Sequence, residues 1–143
     1  MKSTLVYSFR TNKYLDKFKK EGIEVFVFGK LKEDLKKFQD LIEKLEPKFI
    51  IGLAEVKEQS RLETLAINSF GQKGKVNKAG KDSYSMHIPV EAPFPKSKRS
   101  SNSFCNWTMY KIAEIVNTKD TRFSFIHFNQ DHLGKVLHFV KSA

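Results

Sequence analysis

Phe49-Ile50-Ile51-Gly52-Leu53-Ala54 is the stretch on which the fold turns. Six consecutive residues without charge or alternation describe a strand covered on both faces. Such strands belong to parallel sheets flanked by helices. The sequence before it agrees. Leu35, Phe38, Leu41, Ile42 and Leu45 recur at helical spacing, so residues 32–46 predict an amphipathic helix, with Pro47 just past its end. Upstream, Ile23-Glu24-Val25-Phe26-Val27-Phe28 is rich in β-branched and aromatic residues and stops at Gly29, which predicts a strand. Residues 12–20 predict a short helix with Leu15 and Phe18 inward, and residues 5–9 form another short apolar strand.

The pattern continues downstream with a looser middle. Residues 66–70 are a candidate strand, and residues 71–82, with glycines at 71, 74 and 80 and many lysines, read as a loop. Residues 83–90 alternate Tyr84, Met86, Ile88 and Val90 against polar or small neighbours, as in an edge strand. Pro93, Pro95 and the basic run 96–99 make a further loop. Residues 104–116 predict a helix, 123–128 a buried strand, and Leu133, Val136, Leu137 and Val140 one face of a last helix. Alternating strands and helices give an α/β class: a three-layer α/β/α sandwich with a mostly parallel sheet. At 143 residues, without a repeat or a low-complexity stretch, the chain is expected to form a single domain over 1–143.

Composition narrows the functional classes. Apolar residues make up 40% of the chain and Phe occurs 13 times, enough for a real core. A single cysteine excludes an intrachain disulfide and a cysteine-based zinc site, and suits a reducing compartment. No long apolar run suggests a signal peptide or membrane span, so a cytoplasmic location is expected. The 26 Lys and Arg against 16 Asp and Glu leave a charge of +10. That excess attracts nucleic acid or anionic surfaces, but no zinc-finger spacing or RNA-recognition aromatic motif accompanies it. Most of the lysines fall on helix-patterned stretches and in the 73–81 loop, as a solvated surface requires. Nucleic acid therefore stays an alternative partner only.

Cys105 is the residue with the most chemistry to offer. It follows the polar loop Ser100-Ser101-Asn102-Ser103 and falls in the first turn of the helix expected over 104–116. Unpaired N–H groups and the positive end of the dipole favour a thiolate there, and the same N–H groups suit an oxyanion. A histidine to take the thiol proton and a carboxylate to hold the imidazole would complete an activated nucleophile. His127 ends Phe123-Ser124-Phe125-Ile126-His127, at a strand end where α/β sheets place their ligand sites. Glu63 lies in Leu62-Glu63-Thr64-Leu65-Ala66-Ile67-Asn68. Each residue also has an ordinary reading, as a small buried hydrophobe, a satisfied core imidazole and a solvated charge. His87, His132 and His138 compete with His127, and periodicity does not choose among the four. His132 and His138 are expected on the surface of the last helix. No histidine pair has helical spacing for a metal, and no metal or organic cofactor is expected.

Local context makes the choice. Gly52-Leu53-Ala54, then after eight residues Glu63-Thr64-Leu65-Ala66-Ile67-Asn68, then Phe104-Cys105-Asn106 with Met109-Tyr110, then Phe125-Ile126-His127, resemble in order four blocks of the type I pyroglutamyl peptidases, the pyrrolidone-carboxylate peptidases. In that family a Gly-x-Ala strand end leads to Glu-Arg-Val-Ala-Ile-Asn, a Cys-Asn segment carries the nucleophile, and a Phe-Ile-His strand carries the base. The resemblance implies a catalytic triad of Cys105, His127 and Glu63. It also implies removal of an N-terminal pyroglutamyl residue from a peptide through a thioester, with no cofactor, and it allows a homo-oligomer.

The chain departs from the family around the substrate pocket. Ser8-Phe9-Arg10-Thr11-Asn12 stands where the family has a Gly-Phe-x-Pro-Phe-Gly-Gly loop, and Glu55-Val56-Lys57 where it has Gly-Gly-Arg. Lys57 keeps the charge without the guanidinium fork. A Pro-rich basic link replaces an additional helix before the cysteine. Phe9, Phe70 and Phe104, with Lys57, are the candidate substrate-binding residues. A changed substrate, a silent triad, or a basic interaction module are the competing readings.

Overall fold

The computed structural model describes residues 3–100 and 103–143. Its strands are β1 (Thr4–Phe9), β2 (Phe26–Phe28), β3 (Phe49–Glu55), β4 (Arg61–Leu62), β5 (Leu65–Ile67), β6 (Ser83–Ser85) and β7 (Arg122–Phe128). Its α-helices are α1 (Leu15–Lys20), α2 (Leu31–Leu45), α3 (Phe104–Val116) and α4 (Leu133–Ser142). The main sheet runs β2-β1-β3-β7-β4, with β1 paired in parallel to β2 and β3, and β3 in parallel to β7. This is the mostly parallel sheet that the apolar run at 49–54 demands.

Period-two alternation along the strands divides the core. One cluster gathers Tyr7, Phe9, Ile50 and Phe125 with Phe38 and Ile42 of α2 and Met109 and Ile112 of α3. The opposite cluster gathers Val6, Ile51, Leu53 and Ile126 with Phe18 of α1 and Val136, Phe139 and Val140 of α4. Helices therefore cover both faces. Gly52 sits where the central strand passes beneath Tyr7 and Phe125, too close for any side chain. Helix α2 ends at Glu46, whose left-handed backbone (φ 44°) returns its N–H to the Ile42 carbonyl, and Pro47 bars continuation.

Four elements differ from expectation. The strand expected over 23–28 is paired only from Phe26, because Ile23 is still tied to the Phe18 carbonyl as the chain leaves α1. The strand expected over 83–90 stops at Ser85. His87 N–H turns away to the Phe123 carbonyl, Pro89 offers no N–H, and Val90 is almost fully exposed. The two-residue β4 was not anticipated; it closes the sheet antiparallel to β7, placing Arg61 opposite His127 and Leu62 opposite Ile126. β5, shorter than the expected 66–70, pairs with β6 in a separate two-stranded sheet. No helix among the described residues is long and apolar enough to cross a membrane.

Candidate active site

The site forms where β7, the segment after β4, and the start of α3 meet. Strand β7 buries Phe123 and Phe125 on the α3 side of the sheet, and alternation puts His127 on that same side. Its Nδ1 lies 2.6 Å from Glu63 Oε2, with both side chains almost fully buried. Of the four histidines, His127 is the one whose ring reaches Glu63. His132 instead meets Ser60 Oγ through Nδ1 at 2.8 Å, and lies in a 3-10 turn ahead of α4, only half-buried. His138 is exposed on α4, and His87 lies in the link after β6.

Glu63 has a second charged partner that the sequence reading missed. Arg61 Nε donates to the same Oε2 at 3.0 Å. The signal was present, since residues two apart on an extended segment share a face. Burial alone would raise the Glu63 carboxyl. The hydrogen bond and charge of His127, with Arg61, outweigh it and hold the group below its usual range. A buried carboxylate, paired on one side with an imidazole and on the other with a guanidinium, results.

Cys105 sits in the first turn of α3, as its sequence position predicts, behind an N-cap at Ser103. Ser101 and Asn102, in the polar loop ahead of it, lie outside the described residues. Two details differ from the sequence expectation. The thiol is 4% exposed, and burial pushes it up to about 12, outweighing the help of Ser103 and the helix terminus; the Glu63 charge pushes the same way. The Cys105 N–H is taken by Ser103 Oγ at 3.2 Å rather than open to an oxyanion. Among the described residues no hydrogen bond joins Cys105 Sγ to His127. Burial thus favours the thiol over the thiolate, and the imidazole–carboxylate contact is made without the sulfur.

The start of α3 is anchored from three directions. Asn106 accepts from Ile67 N–H at 2.9 Å and donates to the carbonyls of Ile67 at 2.8 Å and Ser69 at 2.9 Å, tying the turn that bears Cys105 to β5. Thr108 Oγ1 donates to the Cys105 carbonyl at 2.8 Å and meets Tyr7 Oη at 3.0 Å, linking the same turn to β1. Phe104 packs edge-on to Phe9 with centroids 4.8 Å apart, and 39% of Phe104 remains exposed. Phe9 neighbours Phe125 at 6.4 Å, and Phe125 neighbours the His127 ring at 5.0 Å.

Of the remaining expected residues, Phe9 and Phe104 come together beside the cysteine. Phe70 stands apart, half-buried against Trp107 at 6.4 Å with Lys73 over its ring. Lys57 is exposed after β3 and lines a separate cavity with Lys13 and Gln130. Among the described residues no group of three or more His, Cys, Asp or Glu is placed to hold a metal ion.

No protein-family model matches the sequence, and no curated protein sequence matches it. Solved structures do. The pyroglutamyl peptidase I of Bacillus amyloliquefaciens superposes with a TM-score of 0.75 over 99% of this chain and 94% of that one, at 16% identity. The chain has the pyroglutamyl peptidase fold. The pyrrolidone carboxyl peptidase of Thermococcus litoralis matches with a TM-score of 0.70 and 18% identity over 90% of this chain and 77% of that one. A mutant pyrrolidone carboxyl peptidase from Pyrococcus furiosus gives 0.71 and 20% identity, covering 99% and 95%. At such identities the agreement is one of fold.

Proposed function

We propose that this chain, as one pyroglutamyl-peptidase-like domain, is a cysteine peptidase that removes N-terminal pyroglutamate from peptides, with Cys105, His127 and Glu63 as its triad. The observation that carries the reading is the buried 2.6 Å pair of His127 Nδ1 and Glu63 Oε2, set beside the helix turn that bears the chain's lone thiol. Glu63 holds the imidazole so that Nε2 is the face left for proton transfer. His127 takes the Cys105 proton as Sγ attacks the carbonyl carbon of the pyroglutamyl amide. The tetrahedral intermediate collapses with the imidazolium proton delivered to the departing amine, leaving a thioester on Sγ. Water, deprotonated by His127, then releases pyroglutamate and restores the thiol. Burial favours the protonated thiol, so the proton passes to His127 as Sγ attacks. Phe9 and Phe104 supply the apolar wall for the pyrrolidone ring. Phe70, against Trp107 of the cysteine-bearing helix, and Lys57, after β3, are further candidates for substrate contact.

The test is hydrolysis of a fluorogenic pyroglutamyl amide by purified protein beside Cys105→Ala and His127→Ala. The expected result is turnover in the wild type and a loss of at least about 100-fold in each variant. Wild-type turnover that survives Cys105→Ala would overturn the reading. A second reading keeps the triad and changes the acyl group. Ser8-Phe9-Arg10-Thr11-Asn12, without the glycines and second Phe of the family loop, favours it. Acylation of Cys105 by other N-acyl amides, with pyroglutamyl amides inert, would establish that alternative. A cytoplasmic setting fits the free thiol.

A further inference from the structure

The basic link 95–99 has no part in the triad, yet the fold lays it against the triad's flank. Leu62 N–H donates to the Pro95 carbonyl at 2.8 Å and Ser97 N–H to the Leu62 carbonyl at 2.7 Å, so Lys96 continues the sheet one step beyond β4. Ser97 Oγ donates to the Arg99 carbonyl at 2.6 Å and accepts from Arg99 N–H at 3.3 Å, which fixes the turn. Arg61, Lys96, Lys98 and Arg99 together line a cavity of about 620 Å³, where Glu58 is the one acidic residue. Arg61 shares its charge with Glu63, and among the described residues no ion pair engages Lys96, Lys98 or Arg99.

The strand order gives this cavity a direction relative to the chemistry. His127 lies on β7, Arg61 opposite it on β4, and Lys96 beside Leu62 on the next step outward. At the usual strand spacing, Lys96 is about 10 Å from the β7 backbone at His127, the length of about three extended residues. Phe9, the wall offered to the acyl ring, lies on β1, on the opposite side of β7 in the sheet order. A peptide acylating Cys105 with its ring toward Phe9 and Phe104 runs outward past Arg61, which shares the His127 face at the sheet edge; Lys96, on the Leu62 face, lines with Lys98 and Arg99 the same cavity as Arg61.

We infer that this cavity is the binding site for the departing part of the substrate, and that the preferred substrates are peptides with Asp or Glu at the second and third residues after the scissile bond. The inference rests on the peptidase reading above and adds to it a substrate class. Exposed ion pairs are individually weak and screened by salt, so the preference amounts to about tenfold in kcat/KM at low ionic strength and fades as salt rises.

The test compares pyroglutamyl-Ala-Glu-Glu, pyroglutamyl-Ala-Gln-Gln and pyroglutamyl-Ala-Lys-Lys peptides on wild type and the triple variant Lys96→Glu, Lys98→Glu, Arg99→Glu. The fluorogenic pyroglutamyl amide, which lacks downstream residues, is the control. The expected result is a wild-type preference for the acidic peptide that salt abolishes. The triple variant should prefer the lysine peptide while turning over the amide unchanged. Equal wild-type rates on all three peptides, with the amide cleaved, would overturn the inference and leave the peptidase reading intact. If no pyroglutamyl compound is cleaved, fluorescence anisotropy of the labelled acidic peptide decides. Salt-sensitive binding lost in the triple variant sustains the acidic-peptide site without the peptidase, and no binding overturns it. Tighter binding of a single-stranded RNA oligonucleotide through the same cations would also overturn it.

Discussion

Replacing Gly52 with alanine tests whether the close contact at the centre of the sheet is as tight as it looks. A Cβ there would lie 2.5 Å from Phe125 Cδ2, 2.6 Å from Tyr7 Cζ and 2.7 Å from Tyr7 Oη. Carbon atoms rest about 3.5–4.0 Å apart, so both rings must retreat by about 1 Å. Neither has room. Both are fully buried, and Tyr7 is hemmed by Phe28 at 5.2 Å and Phe38 at 5.3 Å and bonded to Thr108 Oγ1 at 3.0 Å. Overpacking costs about 1–3 kcal/mol and a lost buried hydrogen bond about 1 more, giving an expected loss of about 2–4 kcal/mol. Urea unfolding followed by Trp107, the single tryptophan, reads this directly. Gly52 has no positive φ, so the penalty is steric and must depend on its neighbours. Added to Tyr7→Leu, which removes two of the three close atoms, Gly52→Ala should cost about half as much. A loss below about 0.5 kcal/mol in the wild-type background, or the same loss in both, would refute the reasoning.

Other consequences follow from the site. Glu63→Gln strips a charged partner from His127 and Arg61 and should cost about 2 kcal/mol at neutral pH. Because the folded-state pKa of Glu63 is lowered, its stabilisation is complete above the unfolded value of about 4.3 and is lost as pH falls through the lower folded value. Urea titrations at successive pH values should therefore show the wild-type and variant curves converging in acid. Cys105 behaves in the opposite sense. With its folded pKa raised to about 12, stability is intact below the unfolded value of about 8.5. Above that value it falls by about 1.4 kcal/mol per pH unit; Cys105→Ala should remove this alkaline slope, and an unchanged slope would count against the buried thiol. Asn106→Ala leaves the Ile67 N–H and two carbonyls without their partner, for a loss of about 3 kcal/mol and a turn at Cys105 no longer held to β5. Unfolding of that variant within about 1 kcal/mol of wild type would refute the anchoring role.

What the sequence made legible follows the physics of each element. The uniformly apolar strand at 49–54, the Phe-rich strand at 123–128 and the strongly periodic helix at 32–46 announce themselves because burial dictates most of their composition. Strand β4 did not. Two residues carry no periodicity, and Arg61-Leu62 is a strand only because β7 lies beside it. The alternation of Tyr84, Met86, Ile88 and Val90 misled for a related reason: past Ser85 the chain bonds to β7 and then meets Pro89, so the period matched a strand without a partner. At the site, local sequence blocks pointed to Glu63 and His127, and the fold brings the two side chains into contact. The protonation of Cys105 was not legible. A helix N-terminus argues for a thiolate, and only the packing around the thiol reveals that desolvation outweighs it. Arg61 as a partner of Glu63 was legible in principle from the two-residue spacing.

The most direct measurement is intact-mass analysis of the protein after mixing with a pyroglutamyl aryl ester, followed by peptide mapping of any adduct. The account predicts one pyroglutamyl group on Cys105, slow to form in Glu63→Gln and His127→Ala and absent from Cys105→Ala. An adduct on another residue, or ester consumption that survives Cys105→Ala, would contradict it.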